Sequence, residues 1–153
     1  MAPDMLSQRP LPAPDDASEP YWQGCREGEL RMQRCAPCGH LRFPPRPMCP
    51  HCQSFESTWV PVSGRGTIYS WVVAHPPLLP AFAERAPLTI VLVELEEGDG
   101  LRIVGNWTGE DPAALAIGAP VEVVFEDVTP DVTLPQWRAA GSRAEPEGQG
   151  GGK

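Results

Sequence analysis

Four of the five cysteines in this chain fall in one stretch, CAPCGHLRFPPRPMCPHC. They form two C-x-x-C pairs, Cys35/Cys38 and Cys49/Cys52, with ten residues between the pairs. A C-x-x-C turn places both sulfurs on one side of a tight loop, so two such turns can surround one tetrahedral ion. Pro37 and Pro50 stiffen the interior of each turn. Gly39 can take the left-handed conformation that leads the chain away from the metal. The connection, with Pro44, Pro45 and Pro47, suits a short hairpin that returns one turn to face the other. The pattern predicts a rubredoxin-like zinc ribbon with Cys35, Cys38, Cys49 and Cys52 as ligands of a structural Zn²⁺.

Four thiolates leave no open coordination position, so this metal is expected to hold the fold rather than activate water. Iron is the alternative metal, because sulfur-only tetrahedra also bind it. Two disulfides would need an oxidising compartment, and nothing in the sequence points to export. A thioredoxin-like site needs one C-x-x-C opening a helix in a βαβ unit, which does not fit a second pair beside Pro50. His40 and His51 lie close enough to compete as ligands. With the cysteine set complete, they read as exposed loop histidines.

Little else here promises chemistry. No convergent acid, base and nucleophile can be assembled, there is no Gly-x-Ser-x-Gly, and no lysine precedes Lys153. No catalytic residue is therefore assigned. His75, at a strand end, reads as structural, and Cys25 as a small buried side chain.

The elements that must position the cysteines follow from pattern. Residues 1–19 are rich in proline and acid and predict a disordered tail. Glu19 and Pro20 open a helix that places Tyr21, Trp22 and Cys25 on one face, weakened by Gly24 and Gly28. With the ribbon, this makes a unit of residues 20–57. Residues 58–137 read as β-structure. The turn Ser63–Gly66 leads into a period-2 strand whose faces, Ile68/Ser70/Val72 and Tyr69/Trp71/Val73, are both largely apolar. A proline-rich loop carrying Leu78, Leu79 and Phe82 follows, with large apolar side chains for a loop. LTIVLVEL and LRIVGNW read as a hairpin, with Gly105 marking a bulge or bend. Asp111 and Pro112 open a short helix that Gly118 stops, PVEVVFEDV is a further strand, and VTLPQW adds an edge pairing. Residues 138–153 read as a flexible tail. The fold class is mainly β: an N-terminal helix, a zinc ribbon and a five-stranded OB-type barrel.

Charge narrows the function. The chain of 153 residues has a formal net charge of −8. From Glu84 to Asp131 eleven acids face Arg85 and Arg102, a local −9, whereas Tyr21 to Cys52 carries five arginines against Glu27 and Glu29, a local +3. An acidic barrel is the wrong sign for the single-stranded nucleic acids that many OB folds bind, so nucleic acid is an unfavoured partner. The first residues lack a basic segment and an apolar core, and no apolar run is long enough to span a bilayer. A cytoplasmic protein with no membrane partner is the expectation.

The run YWQGCREGELRMQRCAPCGHLRFPPRPMCPHC resembles one family, as do VSGRGTIYSW, the proline-and-Phe loop, LTIVLVELEEGDGLRIVGNW and IGAPVEVVF. It is the zinc-ribbon/OB-fold family of acyl-CoA-associated accessory proteins. The resemblance covers about residues 20–137. The four cysteines match the metal positions, Gly64, Arg65 and Gly66 the turn into the barrel, and Gly118 the turn into the late strand. One departure is Gln53, where a second glycine often follows the second pair.

The resemblance implies a non-catalytic subunit in a hetero-oligomer with a thiolase-fold enzyme (thiolase, synthase or lipid-transfer-protein-like aldolase) or with a hydratase of steroid side-chain breakdown. Such a subunit would help shape the acyl-CoA channel, with a coenzyme A thioester as a shared ligand. In that setting Arg42, Arg46 and Arg65 become candidate contacts for coenzyme A phosphates, and Leu78, Leu79 and Phe82 a candidate docking tip. The alternatives are a stand-alone acyl-CoA-binding module and an OB-fold binder of single-stranded nucleic acid.

Overall fold

The computed structural model describes residues 9–110 and 112–141. Residues 1–8 and 142–153 of the two expected tails, and Asp111 at the expected helix start, lie outside the described residues.

Helix α1 spans Glu19–Arg26, with Pro20 in its first turn. Ahead of it, Asp15 accepts hydrogen bonds from the Ser18 amide (2.8 Å) and hydroxyl, forming a turn that feeds the helix. Asp15 and Ser18 therefore have defined partners within the stretch expected to be disordered. Arg9 also reaches Glu126 of the barrel at 3.0 Å. Tyr21 and Cys25 are buried as the helical face requires. Gly24 does more than weaken the helix. A Cβ there would lie 2.7 Å from the Glu29 carbonyl, and its own carbonyl accepts the Glu29 amide at 2.8 Å.

Strands β1 (Arg31–Cys35), β2 (Leu41–Arg42) and β3 (Ser57–Pro61) form an antiparallel sheet in the order β2-β1-β3. Trp59 and Val60 thus pair with the ribbon, opposite Gln33 and Met32, so the ribbon's sheet runs through Pro61. The barrel is a five-stranded antiparallel sheet in the order β6-β5-β4-β7-β8. Its strands are β4 (Arg65–Ala74), β5 (Leu88–Leu95), β6 (Arg102–Asn106), β7 (Pro120–Thr129) and β8 (Val132–Ala139). A parallel bridge between Trp107 and Trp137, with Thr108 N–H donating to the Trp137 carbonyl at 2.9 Å, closes the ends. The connection after β6 holds only a 3₁₀ turn, Pro112–Ala114.

VTLPQW supplies the expected edge pairing: it lies in β8, the end strand of the sheet, paired with β7 along its length, and Trp137 is fully buried. That strand continues through Arg138 and Ala139, inside the expected flexible tail. Register shifts fall in β4, between Ile68 and Ser70, and in β7, between Asp127 and Thr129, while the β5–β6 ladder runs in register through Gly105. The shift in β4 moves Trp71 to the side of Val91 and leaves Ser70 and Val72 facing outward, so Ile68, Ser70 and Val72 do not share a face.

A single apolar core joins the parts. Tyr21, Cys25, Leu30 and Met32 pack with Ile68, Val91, Val93, Ile103, Val121 and Trp137. The ribbon is thereby fixed rigidly against the barrel, which orients whatever the two present to a partner.

Candidate metal centre and apolar docking face

The two cysteine turns are built alike. Gly39 N–H donates to the Cys35 carbonyl at 2.9 Å, and Gln53 N–H to the Cys49 carbonyl at 3.0 Å. Cys35 N–H then donates to the His40 carbonyl, and Cys49 N–H to the Ser54 carbonyl. Both turns close on a left-handed residue, Gly39 at φ 74° and Gln53 at φ 62°. Gln53 therefore adopts the conformation that its position demands without being glycine.

Facing each other, the turns bring all four sulfurs within 4.8 Å of one another. Cys35 and Cys52 Sγ are 3.4 Å apart, and Cys38 and Cys49 Sγ 3.6 Å. A tetrahedron with Zn–S bonds of about 2.3 Å has edges of about 3.8 Å, so the spacing fits one Zn²⁺. All four cysteines are free thiols, which removes the disulfide reading. Amides tune them. The Cys52 and His51 N–H groups stabilise the Cys49 thiolate and bring it down to about 6. At Cys38 the His40 amide acts in the same direction, but desolvation and the crowded sulfurs outweigh it and push that thiol up to about 12. Without a cation the four cannot all ionise together.

His40 and His51 stay outside the cysteine cluster. Their rings stack at 3.7 Å, and His40 is mostly buried, with Nδ1 3.6 Å from Asp99, so it is not the exposed loop residue expected. Asp99 also accepts the Leu41 amide at 3.0 Å, tying the ribbon to the β5–β6 hairpin.

The three arginines expected at coenzyme A phosphates are not alike. Arg42 is 5% exposed. Its Nε donates to Gln33 Oε1 at 2.7 Å and its Nη2 to the Arg46 carbonyl at 3.1 Å. It holds the inter-pair loop and is mostly buried, so of the three it is Arg46 and Arg65 that present exposed guanidinium groups. Gln33, which the sequence reading passed over, is the hub of that loop, since its Oε1 also accepts the Arg46 amide. Arg65 is well exposed but shared with Glu96 at 3.1 Å. Arg46 is exposed, and among the described residues it and Arg34 are the arginines whose side chains have no hydrogen-bonding or carboxylate partner.

Of the expected docking tip, Leu79 is 51% exposed, whereas Leu78 and Phe82 are half-buried. More apolar surface lies on the strands beside it, where Tyr69, Trp71, Val72, Val73 and Val104 are all exposed. Two apolar faces on the Thr67–His75 strand were the signal in the sequence. His75 itself is exposed.

A four-sulfur ribbon fixed to an antiparallel OB barrel defines a zinc-ribbon/OB-fold protein. The chain belongs to the DUF35 family. Residues 22–57 match the family model described as ChsH2, rubredoxin-like zinc ribbon domain, and residues 59–126 that of the ChsH2 C-terminal OB-fold domain. The chain is 38% identical, over 64% of its length and 68% of the relative's, to a DUF35 domain-containing scaffold protein of Methanocaldococcus jannaschii. It is 42% identical, over 86% of its length, to a probable enoyl-CoA hydratase alpha subunit of Thermomonospora curvata, but spans only 40% of that protein. It also resembles a chain of a solved structure described as "Ltp2-ChsH2(DUF35) aldolase", with 41% identity and a TM-score of 0.76, covering 84% of this chain and 98% of that one. No helix among the described residues is long and apolar enough to cross a membrane.

Proposed function

We propose that this chain is a non-catalytic, zinc-stabilised accessory subunit of an acyl-CoA enzyme, either a thiolase-superfamily enzyme such as an aldolase or a related hydratase. One observation carries the reading: ribbon and barrel together, 84% of this chain, match nearly all of a chain found in an aldolase assembly. The relative named as a hydratase alpha subunit supports the same reading.

The chain's own chemistry agrees. Its candidate metal site is saturated by four sulfurs, so Zn²⁺ there would organise the ribbon and polarise no substrate. The exposed apolar residues around Trp71 and Leu79 offer the kind of surface that subunits bury. In the assembly, Arg46, free of any carboxylate, would face the phosphates of a coenzyme A bound mainly by the enzyme, and Arg65 would assist after release from Glu96.

Coexpression with a thiolase-superfamily enzyme from the same organism, followed by gel filtration, tests the proposal. Comigration at a fixed ratio is the expected result. A chain that elutes alone yet binds acyl-CoA would be a stand-alone module. A salt-dependent shift with single-stranded DNA would make it a nucleic-acid binder.

A further inference from the structure

The sheet of β4, β5 and β6 has an outward face that the core does not use. Ladder pairing sets Val72 opposite Ile90, and Leu92 between Ser70 and Val104. Val72 is 55% and Val104 61% exposed, on a face where an antiparallel sheet over a core normally carries polar side chains. Ser70, Val72, Ile90, Leu92 and Val104 of this face, with Trp71 and Val91 of the other, line a shallow depression of about 190 Å³.

The same strand has a free edge. Strand β7 pairs with β4 over Arg65–Thr67, and Gly118 and Ala119 complete the contact at Ile68. From Ser70 to Ala74 no described residue takes backbone hydrogen bonds on that side. Soluble proteins guard exposed edges with charge, proline or bulges, yet Ser-Trp-Val-Val-Ala has no charge and no proline. The uncharged run continues for fourteen residues, from Ser70 to Ala83, in a chain of which 21% is charged.

We propose that the Ser70–Ala74 edge receives an extended segment of the enzyme partner, added as a strand beside β4. One of its apolar side chains enters the depression between Val72 and Val104, and basic residues flank it. This inference rests on the accessory-subunit reading. Charge selects the partner over a second copy. Two copies joined at this edge would bring together two barrels that each carry a formal net −7 from Arg65 to Ala139, eleven acids against four arginines. An apolar strand with basic flanks meets that field with the opposite sign.

Hydrogen exchange on the chain alone, and on its complex with the coexpressed thiolase-superfamily enzyme, tests the inference. The amides of Ser70–Ala74 that point to the free edge should exchange at least about tenfold more slowly in the complex, with β3 unchanged. Val72→Lys and Val104→Glu should each weaken assembly about tenfold or more while zinc content and far-ultraviolet circular dichroism stay as in the parent. A complex that forms with these amides unprotected, or with β3 protected instead, overturns the strand addition and leaves the accessory role standing. If no complex forms, both fall. If the isolated chain is a dimer with these amides already protected, the occupant is a second copy and the assignment to the enzyme is wrong.

Discussion

Gly105 and Trp137 meet so closely that no side chain fits between them: a Cβ on Gly105 would lie 2.7 Å from Cδ1 of the indole. The contact is made where β6 approaches β8 to close the barrel, beside the Asn106 amide that donates to Gln136 Oε1 at 2.6 Å. Trp137 fills the centre, and Gly105 is the gap that admits it. Gly105→Ala should therefore destabilise the protein by ~1–3 kcal/mol through overpacking against a buried ring. Urea unfolding of the zinc-loaded protein measures this. A loss below about 0.3 kcal/mol would mean that the barrel closes elsewhere.

The two cysteine turns differ at one matched position, and the difference should be measurable. Gln53 holds a left-handed backbone that costs a non-glycine residue about 1 kcal/mol. Gln53→Gly should stabilise the ribbon by roughly 0.5–1 kcal/mol, whereas Gly39→Ala should destabilise it by a similar amount. Thermal melts of the two variants give opposite shifts if the turns are equivalent.

The metal should be stoichiometric and structural. One Zn²⁺ per chain is expected by mass spectrometry of digested protein, and any of Cys35→Ser, Cys38→Ser, Cys49→Ser or Cys52→Ser should abolish retention. Chelation should broaden amide signals from the ribbon and from Tyr21, Cys25 and Met32, which share the barrel's core. Retention of a full complement of zinc by a Cys38→Ser variant would contradict the four-sulfur cage.

Glu126 anchors three donors from distant parts of the chain. It accepts from Arg9 and Arg85 through one oxygen and from Gln136, at 2.9 Å, through the other. Partial burial raises its carboxyl, but the Gln136 bond and the charges of Arg9 and Arg85 outweigh it and leave the group below the ordinary 4.5. Because the folded value is depressed, its stabilisation is fully present above about pH 4.5 and is lost as pH falls through the folded value. Glu126→Gln should cost about 1 kcal/mol at pH 7, and the gap between variant and parent should narrow below about pH 4. A gap that is constant or widens in acid would show that the carboxylate charge is not what Arg9 and Arg85 read.

The cysteines were legible in sequence because metal ligation depends on local spacing, and a C-x-x-C turn is set within five residues. Helix α1 and the hairpin of β5 and β6 were legible for the same reason. Trp137 was not. Its burial comes from pairing with β7 and from a gap at Gly105, thirty-two positions away, and neither leaves a periodic mark in VTLPQW. The burial of Arg42 was not legible either, because a guanidinium in a basic ribbon looks free until Gln33, on the neighbouring strand, is seen to hold it. The bulge at Ile68/Ser70 had no glycine to announce it, and it inverted the faces read for the strand that now offers the exposed edge.

Size-exclusion chromatography with light scattering, on the chain coexpressed with a thiolase-superfamily enzyme from the same organism, tests the accessory role most directly. The expected result is one peak containing both proteins at fixed stoichiometry with one Zn²⁺ per accessory chain, and no thioester turnover by the accessory chain alone. Two separate peaks, or turnover of an acyl-CoA by the isolated chain, would contradict it.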